Sequence, residues 1–173
     1  EESAQFGVAQ FHRFARRDHD ALHHRLARRR RLHLQRETAV ELHRFAFDLH
    51  RIGFVLLTHA HIDHSGLIPR LVAQGFKGAV YATAASCDLA AVMLRDSGHL
   101  QEKEAQWEGG VPLYTQREAE ACLAHFIPVH YDAEARPHPS VRCRFHDAGH
   151  ILGSAIVEVS IGKKTIVFSG DVG

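Results

Sequence analysis

Thr58-His59-Ala60-His61-Ile62-Asp63-His64 follows directly on the run Gly53-Phe54-Val55-Leu56-Leu57, and its reading decides the rest. The run is short and unbroken, as in a buried strand. Four side chains able to ligate a metal then fall within six residues. In extended backbone, side chains two positions apart point to the same side. His59 and His61 can therefore grip one cation together. A turn into a helix at Ser65 would direct Asp63 and His64 toward a second, adjacent ion. A single histidine is more often a surface or core residue than a ligand, and Asp63 alone would suit a plain N-cap. Neither reading accounts for four such groups on a loop at the end of a strand, where sites usually lie.

Two further groups fit. His150 lies in Asp147-Ala148-Gly149-His150-Ile151-Leu152-Gly153-Ser154, between two expected strands, with glycines that permit close backbone approach. Asp171 lies in Phe168-Ser169-Gly170-Asp171-Val172-Gly173, at a strand end, where its two oxygens can bridge two cations. Each is weak alone, since a Gly-Asp turn is usually only a turn. Together with the first cluster they form a ligand set.

Periodicity and turn signals place elements around these motifs. Ser65 is expected to cap a helix running to about Gln74, with Pro69 in its first turn and Gly75 at its end. Gly78–Thr83 reads as a strand. A helix follows over Ala85–Arg95, with Leu89, Val92 and Met93 on one face, and a separate acidic helix over 99–108. Gly109-Gly110 is a break. Thr115-Gln116-Arg117-Glu118 is a capping box opening a helix through Phe126. Ile127–Tyr131 reads as a strand, and 132–140, with Pro137 and Pro139, as a loop. Val141–His146 alternates apolar and polar. Ser154–Ile161 and Lys164–Ser169 flank the turn Gly162-Lys163. Strands first spaced by helices and then paired in hairpins give a layered α/β (α+β) class.

Composition sets the frame. The 173 residues are 45% hydrophobic and 24% charged, ordinary globular values that exclude collagen-like, coiled-coil and wholly disordered chains. No apolar run approaches the roughly 20 residues that span a bilayer, so no membrane partner is expected. The chain starts at Glu1 without Met and reads as a fragment at its start. Cys87, Cys122 and Cys143 are an odd number without CxxC spacing. They suit buried small hydrophobes in a cytoplasmic protein better than a disulfide framework. Net charge is +1, divided as +4 over residues 1–51 and −3 over 52–173. Residues 1–51, rich in Arg and His, stand apart from the better patterned 52–173. The early part reads as a solvated, partly helical or disordered arm, as a basic nucleic-acid contact, or as a frame-shifted stretch.

The combination of THAHIDHSG, AGHILGS and FSGDVG resembles the metallo-β-lactamase superfamily, and its finer text is similar to the β-CASP branch of RNA-processing nucleases. The resemblance covers about residues 45–173. It extends to Gly66–Leu71, Val80–Thr83, Met93–Ser97 with Glu102–Ala105, and Pro112–Thr115. It implies an αββα sandwich, incomplete at both ends here. It further implies a first zinc ion on His59, His61 and His150, a second on Asp63 and His64, and Asp171 between them. In the family a separate domain is inserted after the motif ending at Asp171, and a final histidine ligand follows it. Residues 52–173 would then be a partial domain ending before that insertion. The family's opening strands end in an Asp-Cys-Gly-like turn, which residues 1–51 do not contain.

The implied activity is zinc-dependent hydrolysis of RNA phosphodiester bonds, by exo- or endonuclease action. Two cations about 3.5–4 Å apart lower the pKa of a shared water toward ~7, and Asp63 and His64 are the candidate catalytic groups. Asp63 can accept the water's proton. Imidazole and carboxylate donors suit Zn2+ and also admit Mn2+. The alternatives are another hydrolase on the same fold (thioester, lactone or small phosphodiester) and a catalytically silent RNA-binding subunit, against which the intact ligand set argues. The isolated chain is expected to load zinc weakly and to be inactive; a homodimer is compatible with the sequence. His146 and Asp147 are candidate partners for a ligand histidine, and Trp107 and Tyr114 are expected to pack internally.

Overall fold

A computed structural model describes residues 45 and 47–173. Most of the Arg- and His-rich segment, through residue 44, therefore lies outside the described residues. Among the described residues, seven strands form two sheets. Strands β1 (Phe54–Leu56), β2 (Ala79–Thr83) and β3 (Phe126–Val129) are parallel and lie in chain order. Strands β4 (Ala135–His138), β5 (Val141–Asp147), β6 (Ala155–Ile161) and β7 (Lys164–Phe168) form an antiparallel meander. The helices among the described residues are α1 (Ile62–Ser65), α2 (Ile68–Ala73), α3 (Ala84–Glu108) and α4 (Gln116–Cys122). Short 3-10 turns occupy Leu49–Arg51 and Leu123–His125.

Strand alternation makes two core layers. Val55, Val80 and Ala82 face the helices and pack with Ile68, Leu71, Ala90, Leu94 and Tyr114. Their neighbours Phe54, Leu56 and Tyr81 face the other way, onto Val141, Cys143, Phe145, Ala155, Val157 and Val159 of the second sheet. Consecutive side chains on a strand point to opposite faces, so the parallel sheet is covered on both. Among the described residues the result is helices on one sheet and that sheet on another, three of the four layers of the expected αββα sandwich. The outer face of β5 carries the exposed Arg142 and Arg144, with Glu134 3.9 and 3.7 Å away.

Several boundaries differ from the sequence reading. Ser65 ends α1 rather than opening a longer helix, and its hydroxyl donates to the carbonyls of Ala60 and His61 at 2.9 and 3.0 Å. The two helices expected on either side of 95–99 are one, α3. Its core-facing residues are Ser86, Ala90, Leu94 and Gly98, whereas Val92 is exposed. Trp107, expected to pack, is exposed as well; Tyr114 is buried. The capping box at Thr115 and Glu118 forms in both directions, but α4 ends at Cys122, ahead of the 3-10 turn. The expected loop 132–140 contains β4. This strand pairs on one side only, which is where a sheet tolerates a proline such as Pro137. No helix among the described residues is long and apolar enough to cross a membrane.

Candidate metal centre

The three motifs meet at one edge of the sandwich. The chain leaves β1 at Leu56 and passes through 57–61 into α1, carrying His59 and His61. The β5–β6 loop brings His150, and the segment after β7 brings Asp171. Thr58 ties them together. Its carbonyl accepts the amide of Ala155 at 2.8 Å, joining the loop after β1 to the start of β6. Gly170 packs so closely on it that an added Cβ would lie 2.8 Å from the Thr58 Cβ, and Gly170 has φ +56. Only glycine fits there without strain.

The β5–β6 loop is fastened just as firmly. The carbonyl of Gly153 accepts the hydroxyls of Thr83 and Ser86 at 2.6 and 2.8 Å. The Ser154 hydroxyl accepts the amides of His150 and Ile151, both at 3.1 Å. A Cβ on Gly153 (φ +83) would lie 2.5 Å from the Ser86 amide nitrogen. These bonds fix the backbone on which the His150 ring is carried.

Four donor atoms, on His59, His61, His150 and Asp171, lie within 4.8 Å of one another. His59 Nε2 is 3.0 Å from His61 Nδ1, and His150 Nε2 is 3.3 Å from the same atom. Asp171 Oδ2 is 4.0 Å from His59 Nε2 and 3.8 Å from His150 Nε2. A tetrahedral ion with bonds of about 2.0–2.1 Å needs donors about 3.3 Å apart. The observed spacings bracket that value, so these residues fit a divalent cation of zinc's size. The three imidazole planes stand 76–85° to one another, each turning an edge toward its neighbours.

His64 belongs to the same group of rings, its centroid 4.0 Å from that of His59. Its Nε2 is 3.5 Å from Asp171 Oδ1. The two Asp171 oxygens are thus divided, one toward His59 and His150 and the other toward His64. Asp63 stands further out, half-exposed, with Oδ2 3.8 Å from His64 Nε2. The structure therefore gathers five of the six expected ligands closely and places Asp63 at their rim.

His59 is completely buried. Burial first, and then the neighbouring His64 and His61 rings, lower its pKa from 6.5 to about 4; Asp171 opposes this and His150 adds slightly to it. Its ring is therefore neutral at pH 7, the state with a lone pair for a cation. Thr58 Oγ1 lies 3.2 Å from its Nδ1. With Nε2 committed to a cation, Nδ1 would carry the hydrogen and donate it to the Thr58 hydroxyl. Sequence reasoning did not single out Thr58, Thr83, Ser86, Ser154 or Gly170, although all but Thr83 and Ser86 fall inside the quoted motifs. His146, expected to support a ligand histidine, instead has Nδ1 2.6 Å from Asp132 Oδ1, and Asp147 accepts the amide of Gly149 at 2.9 Å.

Known proteins are similar to this chain in sequence. Transcription termination factor FttA of Methanocaldococcus jannaschii is 35% identical over 128 residues, 73% of this chain and 20% of that protein. Ribonuclease TTHA0252 of Thermus thermophilus is 36% identical over 129 residues, 75% of this chain and 28% of that protein. The chain belongs to the β-CASP branch of the metallo-β-lactamase superfamily. It spans about a fifth to just over a quarter of the length of these relatives. It matches no protein-family model. Among solved structures, a Cronobacter sakazakii metallo-β-lactamase with an HARLDQ motif has the same fold. It aligns with a TM-score of 0.51 and 18% identity over 83% of this chain and 49% of that one.

Proposed function

We propose that this chain carries the metal-binding part of a zinc-dependent ribonuclease. The observation that carries the reading is the convergence of His59, His61, His150 and Asp171 donor atoms within 4.8 Å. His59 Nε2, His61 Nδ1 and His150 Nε2 would hold a first zinc ion, and His64 and Asp63 a second. Asp171 would serve both, one oxygen to each. Such ions supply Lewis acidity and a nucleophile at neutral pH. Thiolate donors are absent from this group, so Mn2+ is a second candidate.

The protein's own groups do the remaining work. Thr58 holds the His59 tautomer, and buried His59 excludes water from the inner side. Asp63, exposed at the rim, would accept the proton of an attacking water and pass it to bulk solvent. Phosphodiester hydrolysis spreads negative charge over the transferred group, and cations fixed at this edge would stabilise it. RNA as substrate is supported by the ribonuclease relative at 36% identity. Whether cutting is internal or from an end is set by surfaces beyond the ligand group. The free thiols Cys87, Cys122 and Cys143 support a reducing, cytoplasmic setting. The 173-residue chain alone should bind zinc but give no useful turnover.

The test is zinc titration of the 173-residue chain against a chromophoric chelator. The parent should bind at least one ion, and His150→Ala should weaken binding by at least tenfold. Equal affinity of parent and His150→Ala would overturn the ligand assignment. Robust RNA cleavage by the purified chain would overturn the expected inactivity.

A further inference from the structure

Helix α3 turns one stripe to the core and another to water. Ser86, Ala90, Leu94 and Gly98 are buried at intervals of four. On the opposite side Val92, Leu100 and Trp107 are 65, 53 and 82% exposed, with Asp96, His99 and Lys103 exposed between them. The outer stripe steps in threes and fours, the spacing of a seam between packed helices. Trp is the residue type most enriched among energetic anchors of interfaces, and here it stands nearly free on a regular element.

The outer stripe is also self-complementary. Reversed about the midpoint between His99 and Leu100, Trp107 falls opposite Val92 and Lys103 opposite Asp96, while Arg95, opposite Glu104, is held by Glu120 of its own chain. Glu102 falls opposite Ser97 and Glu108 opposite Ala91, so no like charges meet. We propose that α3 pairs with α3 of a second copy of this chain, antiparallel about a two-fold axis passing between His99 and Leu100. A two-fold contact uses the same patch on both copies, so each complementary pair forms twice. The seam from Val92 to Trp107 is about 22 Å long at 1.5 Å per residue. That is small for a stable interface, so dissociation should fall on the order of tens of micromolar.

The chain contains a single Trp, Trp107, which makes the contact visible. Sedimentation velocity from low to high micromolar should show a monomer–dimer equilibrium, with Trp emission shifting to the blue over the same range. Asp96→Lys and Lys103→Asp should each abolish the dimer, and the double variant Asp96→Lys/Lys103→Asp should restore it. Trp107→Ser should weaken it at least tenfold. All three positions are exposed, so far-ultraviolet dichroism should be unchanged. Leu100→Cys, beside the axis, should form a disulfide between copies under mild oxidant, whereas Val92→Cys, about 22 Å from its symmetry mate, should not. A monomer at every concentration, dimers indifferent to both charge variants, or failure of the double variant to restore association would each overturn the proposal.

Discussion

Thr58→Val separates what holds the metal ligands from what holds the fold. Valine matches threonine in volume and keeps the packing against Gly170, where the backbone passes close to the Thr58 Cβ. What it removes is the hydroxyl 3.2 Å from His59 Nδ1. In the metal-free protein the loss is small. His59 can place its hydrogen on Nε2 and donate to His61 Nδ1, 3.0 Å away. Once Nε2 is committed to a cation, the hydrogen must sit on Nδ1, which is then buried and unpaired. An unsatisfied buried donor costs about 1–3 kcal/mol, and here nearly all of it falls on the loaded state. Zinc affinity should therefore drop by about 10–100-fold, in line with losses of other hydrogen-bond partners of metal-bound histidines. Thr58→Ser, which keeps the hydroxyl, should stay within a few-fold of the parent. Competition with a chelator measures the affinities, and thermal melting of the metal-free proteins reports stability. If Thr58→Val lowers the metal-free melting temperature but leaves zinc affinity unchanged, the tautomer argument is wrong and Thr58 is only a packing residue.

Other outcomes follow from the same contacts. Gly153→Ala would put a Cβ 2.5 Å from the Ser86 amide nitrogen at φ +83, so unfolding by urea should show a loss of about 2–4 kcal/mol from strain and overpacking. Cys122 and Cys143 are buried and their thiols are pushed up to about 12 and about 11, mainly by burial; at neutral pH they are uncharged, and mass spectrometry should find them unmodified by iodoacetamide until denaturant is added. Zinc at about 100 times its dissociation constant should stabilise the chain by about 2.7 kcal/mol, and EDTA should reverse this in a melting experiment.

The donor cluster was legible because its first part is local: HAHIDH carries four candidate donors within six residues, and alternation over Val141–His146 marked the inward side chains of β5. Tertiary effects were not. The sequence read as two helices, over 85–95 and 99–108, yet α3 runs unbroken through Gly98 between them. A Cβ there would lie 2.8 Å from the Gln116 amide nitrogen; the glycine permits close approach of the chain entering α4. Pro137 and Pro139 masked β4, whose pairing with β5 depends on its being an edge. Thr83 and Ser86 looked like an ordinary helix start, which they are, with Thr83 accepting the Ser86 amide at 3.2 Å. Their second role, holding the Gly153 carbonyl, spans about seventy residues and leaves no local signature.

Those long-range bonds couple the metal centre to closure of the sandwich. His59, His61 and His64 are carried by the parallel sheet, while His150 and Asp171 are carried by the antiparallel one. The two groups are held in register by the Ala155 amide on Thr58, by Gly170 against Thr58, and by the Gly153 carbonyl on Thr83 and Ser86. A cation on donors from both sheets would pull on the same seam. An unfolded chain presents no such arrangement, so binding free energy adds directly to folding free energy. The converse also holds: a substitution that loosens the seam, even far from any ligand, separates His150 and Asp171 from His59 and weakens metal binding. Gly153→Ala should therefore lose zinc affinity as well as stability, whereas an equally destabilising cavity in the helix-side core, such as Leu94→Ala, should spare the affinity of the protein that remains folded.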